Sequence, residues 1–265
     1  MKSILSFFGL IVVSGMVCAA EPLYVEQYRT AQPDAEALNK AEQQVREHQT
    51  VLVREKMAFP SFHRQLPALT QGEAFCQICH APLPHSKKLR DRTFLNMHSR
   101  FIACETCHFR PETSPMEYDW LEYPNWTIAK GDPGRFRTGR PIDNALTTTR
   151  VNGGAGSSIL KIVPIHQGVP AIARRDSEFA RGIEPVWQES EQAEKARMKA
   201  KLHAPLKKEG PECAECHTEK QPMLNLERLG ATALQATAIR RHIIPQFFSR
   251  YRNEDERLKI IDILH

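Results

Sequence analysis

Six of the seven cysteines in this chain fall in three copies of one short pattern, Cys-x-x-Cys-His. The cysteines are Cys76, Cys79, Cys104, Cys107, Cys213 and Cys216, and the histidines that follow them are His80, His108 and His217. Two thiols about one helical turn apart can add across the two vinyl groups of one porphyrin, and the adjacent histidine can then bind its iron. The three copies, named here the first, second and third motifs, therefore predict three covalently attached haem c groups.

Other uses of paired cysteines fit the pattern less well. Four-cysteine zinc sites need such pairs in twos, and three is the wrong number. A thioredoxin-like redox site needs a single pair at a strand–helix junction. An even number of cysteines in an exported protein could also form disulfides. Disulfides do not explain, however, why a histidine follows every second cysteine.

The chain resembles the multihaem cytochromes c, which arrange haems with two histidine ligands into electron-transfer chains. The resemblance rests on the three motifs and on the stretch 98–104, where His98 stands shortly before Cys104. It covers about residues 60–110 and 200–220. It implies a mainly α fold with extensive coil and few strands, in which the haems form much of the core. Three haems in 265 residues are sparse for this family.

Each haem iron needs a second axial ligand from the protein if it is to serve electron transfer alone. By the same resemblance, His98 is expected to ligate the haem of the first motif. His203 is a second candidate, because it lies on the apolar side of a helix predicted over 186–207. His85 is the candidate for the second haem, because two prolines stiffen the loop that presents it. The rival ligands are His63, His166 and His242.

Three further side chains could in principle contact a haem. His48 shares an apolar helical seam with Leu38 and Val45, so core packing is the favoured interpretation. Met97 or Met223 as an axial ligand would raise the reduction potential. Methionine is more often a core residue, however, and the prediction keeps histidine ligands.

Residues 1–20 have the pattern of a secretory signal. Lys2 supplies the positive charge, an apolar stretch follows over 4–17, and Ala20 ends a small-residue cleavage site. We expect cleavage after Ala20 and export to the periplasm. The apolar stretch is short for a membrane span. A lipid anchor on Cys18, an uncleaved anchor and an extracellular location are the alternatives.

The elements that must position the motifs divide the chain into further segments. They are an N-terminal helix and lead-in over 21–75, a two-haem unit over 76–110, a segment without a haem motif over 111–212, and the third motif with C-terminal helices over 213–265. Apolar spacing and turn signals predict helices over 34–56, 232–243 and 253–264, and a strand over 159–163. The segment 111–212 is too long for a linker, and we expect it to wrap the third haem or to form a docking surface.

Two functions fit these features. The favoured one is a periplasmic carrier that passes single electrons between redox proteins, such as a quinol-linked membrane donor or other cytochromes, without a small-molecule substrate. The alternative is a reductase with one open haem that acts on a small nitrogen or sulfur oxyanion or a peroxide. Its candidate anion-binding residues are Arg135, Arg137, Arg140 and Arg150. Eleven histidines exceed the number that three closed haems need, which favours the carrier.

The basic composition does not indicate a nucleic-acid partner. The formal net charge is +5 at pH 7. Two ionised propionates on each of three haems would reverse that charge. We therefore expect no nucleic-acid partner.

Overall fold

The computed structural model describes residues 21–47, 74–81, 83–85, 89–129, 160–243 and 245. Within these ranges, helices surround one antiparallel sheet. The helices are α1 (Leu23–Thr30), α2 (Ala35–Glu47), α3 (Leu89–His98), α4 (Cys104–His108), α5 (Glu178–Glu189), α6 (Gln192–His203), α7 (Cys213–Cys216) and α8 (Ala233–Arg240), and a short 3₁₀ helix spans Phe75–Ile78. The strands are β1 (Glu117–Glu122), β2 (Thr127–Ile128), β3 (Leu160–His166) and β4 (Val169–Pro170).

The sheet has the order β2-β1-β3-β4, and every neighbouring pair is antiparallel. Its two central strands pair over six residues, from Glu117 opposite Ile165 to Glu122 opposite Leu160. Leu121 and Val163 are fully buried at its centre. The apolar run in β3 suits a strand that is covered on both faces, and the predicted strand over 159–163 is confirmed.

The fold is mixed α/β, so the expectation of a mainly α protein with few strands was too narrow. The missed strand is β1, which lies among the turn signals Pro115 and Pro124. Its main partner, β3, begins 38 residues after β1 ends, as the bounds Glu122 and Leu160 show. Local periodicity does not reveal a pairing between segments so far apart in the chain.

The sheet also holds the two segments that lead into the first and second motifs. Before the second motif, the backbone of Ala103 donates to Ile162 of β3 at 2.9 Å, and Ile162 donates to Phe101 at 2.7 Å. Before the first motif, Phe75 donates to Ala173, just beyond β4, at 3.3 Å. The same stretch accepts a bond from Tyr24 of α1. Because these bonds run through the backbone, they fix the position of each lead-in segment on the sheet.

Aromatic side chains fill the space between the N-terminal helix and the first two motifs. The ring of Tyr24 lies 6.0 Å from Phe75 and 5.7 Å from Phe109, centroid to centroid. Its hydroxyl donates to the Leu202 carbonyl at 2.9 Å, at the end of α6. Helix α1 is therefore part of the same core as the first motif and α6.

The predicted helices agree in part with the structure. The helix predicted over 34–56 is confirmed over Ala35–Glu47, and it packs through Ala41 against Ala196 and Ala200 of α6. The helix predicted over 232–243 is confirmed as α8, which Thr232 and Gln235 start with a reciprocal capping box. The region 253–264 lies outside the described residues.

The prediction of a single helix over 186–207 was wrong. Two helices, α5 and α6, occupy this region, and the chain between them is extended at Ser190 and Glu191. Serine is a weak residue in a helix interior because its hydroxyl competes for backbone hydrogen bonds. The break makes His203 the last residue of a separate helix.

No helix in the described ranges has both the length and the apolar character that crossing a membrane requires.

Loss of the central sheet contact should destabilise the whole protein. Leu121 in β1 is fully buried, so Leu121→Ala should lower the free energy of unfolding by about 3 kcal/mol through lost burial and a residual cavity. Urea denaturation of the purified protein would measure the change. The matched control is Leu234→Ala in α8, where the side chain is 81% exposed. Equal losses at the two positions would contradict this account of the core.

Candidate haem-binding sites

Each motif forms about one helical turn. The first motif begins within the 3₁₀ helix Phe75–Ile78. The second motif is α4, and the third begins with α7. In the first and third, the backbone of His80 donates to Cys76 at 3.0 Å and that of His217 donates to Cys213 at 2.9 Å. One turn brings two cysteines three residues apart onto one side of the backbone, which is the arrangement that double thioether attachment needs.

The six cysteines of the motifs are free thiols in this structure. Burial raises the pKa of the Cys104 and Cys107 thiols to about 11 and that of Cys216 to about 12. A nucleophilic cysteine instead needs a lowered pKa that favours the thiolate. The environments of these thiols therefore suit a neutral sulfur better than thioredoxin-like chemistry.

The motif histidine His80 faces a second imidazole from a distant part of the chain. The ring centroids of His80 and His203 are 6.0 Å apart, and the ring planes are inclined by 71°. His203 is the last residue of α6, and its Nδ1 lies 2.8 Å from the Lys199 carbonyl one turn earlier. The structure thus places His203 beside the histidine of the first motif.

The third motif has an equivalent pair. The ring centroids of His98 and His217 are 6.2 Å apart, with an interplanar angle of 83°. His98 is the last residue of α3, and its Nδ1 lies 2.8 Å from the Phe94 carbonyl oxygen. The Nδ1 of His217 lies 2.7 Å from the carbonyl oxygen of Ile239 in α8. The expectation that His98 serves the first motif was therefore wrong. Its place at the end of α3 turns it toward the third motif, which sequence proximity could not reveal.

The spacing of both pairs matches an iron atom between two imidazoles. A metal–imidazole bond is about 2 Å long, and a ring nitrogen lies roughly 1.2 Å from the centroid of its five-membered ring. Two imidazoles on opposite sides of one iron therefore have centroids about 6.3 Å apart. The observed 6.0 and 6.2 Å lie close to this value. The ring separations at the first and third motifs therefore agree with a haem that has two histidine ligands.

Hydrogen bonds to carbonyls fix the form of the ring in His98, His203 and His217. A carbonyl oxygen can only accept, so Nδ1 carries the proton and donates, and in the neutral ring the lone pair is on Nε2. Burial lowers the pKa of His80, His203 and His217, which favours the neutral ring. A backbone carbonyl on one nitrogen is the usual second partner of a histidine whose other nitrogen binds a metal.

Apolar side chains pack around two of the six motif cysteines. Cys76 packs in the cluster that includes Tyr28 and Met198, and Cys216 packs in the cluster that includes Phe101 and Met223. A porphyrin is largely apolar, so these surroundings also fit the expected group. Of the two methionines considered as axial ligands, Met223 packs against this second cluster, and the side chain of Met97 is 47% exposed.

His108 of the second motif is held in the same way on its Nδ1 side. Its Nδ1 donates to the Lys207 carbonyl at 2.9 Å, and the Lys207 backbone N–H donates to the His108 carbonyl at 2.7 Å. Among the described residues, no second imidazole pairs with it as His203 pairs with His80. His85, the expected partner, bonds Asn96 Oδ1 through both its backbone N–H and Nδ1, each at 3.1 Å.

The remaining candidate ligands are not brought to a motif histidine by a ring contact within the described residues. His166 ends β3, and His242 follows α8, where its charge contributes to the lowered pKa of His217. His48, His63, His265 and the four arginines proposed as an anion site lie outside the described residues.

Sequence reasoning missed two buried charged residues beside the motifs. Glu105, inside the second motif, is 2% exposed, and its Oε1 accepts a bond from Cys76 Sγ at 3.1 Å. Lys161 in β3 is 8% exposed and donates to the Ser99 carbonyl at 2.7 Å. A charged residue within a haem motif or an apolar strand is the signal that could have marked them, because charged side chains are rarely buried without a partner.

Searches of protein families, curated proteins and solved structures found no match to this chain. The described residues also contain no group of three or more His, Cys, Asp or Glu side chains that could hold a bare metal ion. A haem iron needs only two axial ligands from the protein, because the porphyrin supplies the others.

Proposed function

We propose that this protein is an exported trihaem cytochrome c that relays single electrons between partner proteins in the periplasm. The observation that carries the proposal is the approach of His203 to His80 and of His98 to His217, at the spacing of two ligands on one iron. The six motif cysteines would attach the haems, and His80, His108 and His217 would be the ligands on the attachment side.

The residues around each site suit electron transfer more than substrate binding. A bound haem supplies an iron that changes its charge by one electron. His80 with His203, and His98 with His217, would hold the iron of such a haem and would keep water and small molecules from it. The carbonyl bonds to Nδ1 hold the rings in place, which limits the rearrangement that accompanies a change of iron charge.

The partners we propose are redox proteins, such as a quinol-linked membrane donor or other cytochromes. The first and third motifs each include an exposed cysteine, Cys79 and Cys213, whereas both cysteines of the second motif are partly buried. A protein partner could therefore approach the first and third attachment sites most closely.

The first prediction of this proposal concerns haem content. When the full chain is exported in a host that attaches haem c, the mature protein should exceed its polypeptide mass by three haem groups. Cys213→Ser with Cys216→Ser should leave two haems, since no thiol remains at the third motif. Intact-protein mass spectrometry measures both. A protein that carries no covalent haem under these conditions would refute the proposal.

The second prediction concerns the axial ligands. His203→Met and His98→Met should each raise the reduction potential of one haem by a substantial part of the roughly 0.8 V that axial ligation spans, because a thioether favours ferrous iron. Spectroelectrochemistry measures the potentials. The matched control is His166→Met, which replaces a half-buried histidine without a ring contact to a motif histidine. Unchanged potentials in both variants would remove these histidines from the ligand set.

A second candidate function is a reductase with one open haem at the second motif. It is favoured by one observation, that the described residues provide a paired imidazole for the first and third motifs but none for His108. The absorption spectrum of the oxidised protein distinguishes the two functions. A purely low-spin spectrum that cyanide and nitrite leave unchanged supports the carrier, whereas a high-spin band that shifts on their addition supports the reductase.

A further inference from the structure

The position of the second motif between the other two has a consequence for the order of the haems. We infer that the three motifs form a row in space, with the second in the middle, so that the haem it holds lies between the other two. The inference rests on the proposed function, since it assumes that all three motifs carry haem. The inference goes beyond that function, because the order of the motifs along the chain does not require the same order in space.

The second motif contacts the first directly. Glu105 lies between the two cysteines of the second motif, and its Oε1 accepts a bond from Cys76 Sγ of the first at 3.1 Å. Glu105 is 2% exposed, so this contact is inside the protein. Cys104 also contributes, after burial, to the raised pKa of Cys76, as expected of neighbouring thiols.

On its other side, the second motif contacts the third. Arg110, two residues after His108, donates from Nη1 to Oε2 of Glu215 inside the third motif at 3.2 Å. The second motif thus has different neighbours on its two sides, the first motif at Glu105 and the third motif at Arg110, just after His108.

The second axial ligands also flank the second motif. His203 faces the first motif, and Lys207, four residues later, is bonded in both directions to His108. His98 faces the third motif and stands six residues before Cys104, as the sequence shows. The rings on either side of the second motif are therefore tied to it through short stretches of chain.

Contacts between the first and third motifs would argue for a triangle instead of a row. In the part of the chain that the structure describes, no hydrogen bond, ion pair or ring contact joins residues 76–80 to residues 213–217. The exposed cysteines Cys79 and Cys213 also belong to these outer motifs.

Three variants that each lack one haem test the row. They replace both cysteines of one motif by serine, at Cys76 and Cys79, at Cys104 and Cys107, or at Cys213 and Cys216. Pulsed dipolar EPR of the oxidised mature proteins measures the coupling between the two remaining irons. We expect the coupling to be severalfold weaker in the variant without the second haem, because dipolar coupling falls with the cube of distance. If the weakest coupling is instead measured in the variant without the first haem or in the variant without the third haem, the row is wrong.

A measurement on the three-haem protein covers the case in which a variant fails to fold. His203→Met and His98→Met together should shift the EPR signals of the first and third haems and leave that of the second in place. The coupling between the two shifted signals should then be the weakest of the three. If it equals or exceeds the others, the row is wrong.

Haem content separates this failure from a failure of the proposed function. A wild-type mass with three haems and a different order of couplings refutes the row alone. A wild-type mass with fewer than three haems refutes the trihaem proposal itself.

Discussion

The pairing of β1 with β3 is the constraint on which the rest of the structure depends. Its six residue pairs join segments on either side of the long region 130–159, and its centre is fully buried. Ile162 in β3 accepts from Ala103 and from the Thr106 hydroxyl of the second motif, and Trp120 in β1 donates to Leu229 beyond the third. One buried strand pair therefore supports both the second motif and the segment that follows the third.

Helix ends place the histidines. His98 and His203 are the last residues of α3 and α6, and each donates from Nδ1 to the carbonyl four residues earlier. A carbonyl oxygen has two lone pairs, so it can accept from the imidazole in addition to a backbone N–H. Each bond occupies Nδ1, fixes the ring at the end of its helix and leaves Nε2 available.

Buried charge marks the contacts between motifs. Glu105 bonds Cys76, and the buried Lys161 bonds the Ser99 carbonyl close to the start of the second motif. Burial lowers the pKa of Lys161, while the nearby Cys104 and Glu105 oppose that shift. Charged groups inside a protein are costly unless they have partners, so these side chains restrict how the neighbouring segments can pack.

The sequence by itself determined where the candidate sites lie, because Cys-x-x-Cys-His is a local pattern whose spacing is set by one helical turn, as in α4 and α7. It also determined α2, α8 and β3, whose apolar spacing or capping residues are local as well. The tertiary structure alone decided that His98 faces His217 and that β1 pairs with β3. Such contacts depend on how distant segments share a buried surface, and this is a property of the folded chain that neighbouring residues do not encode.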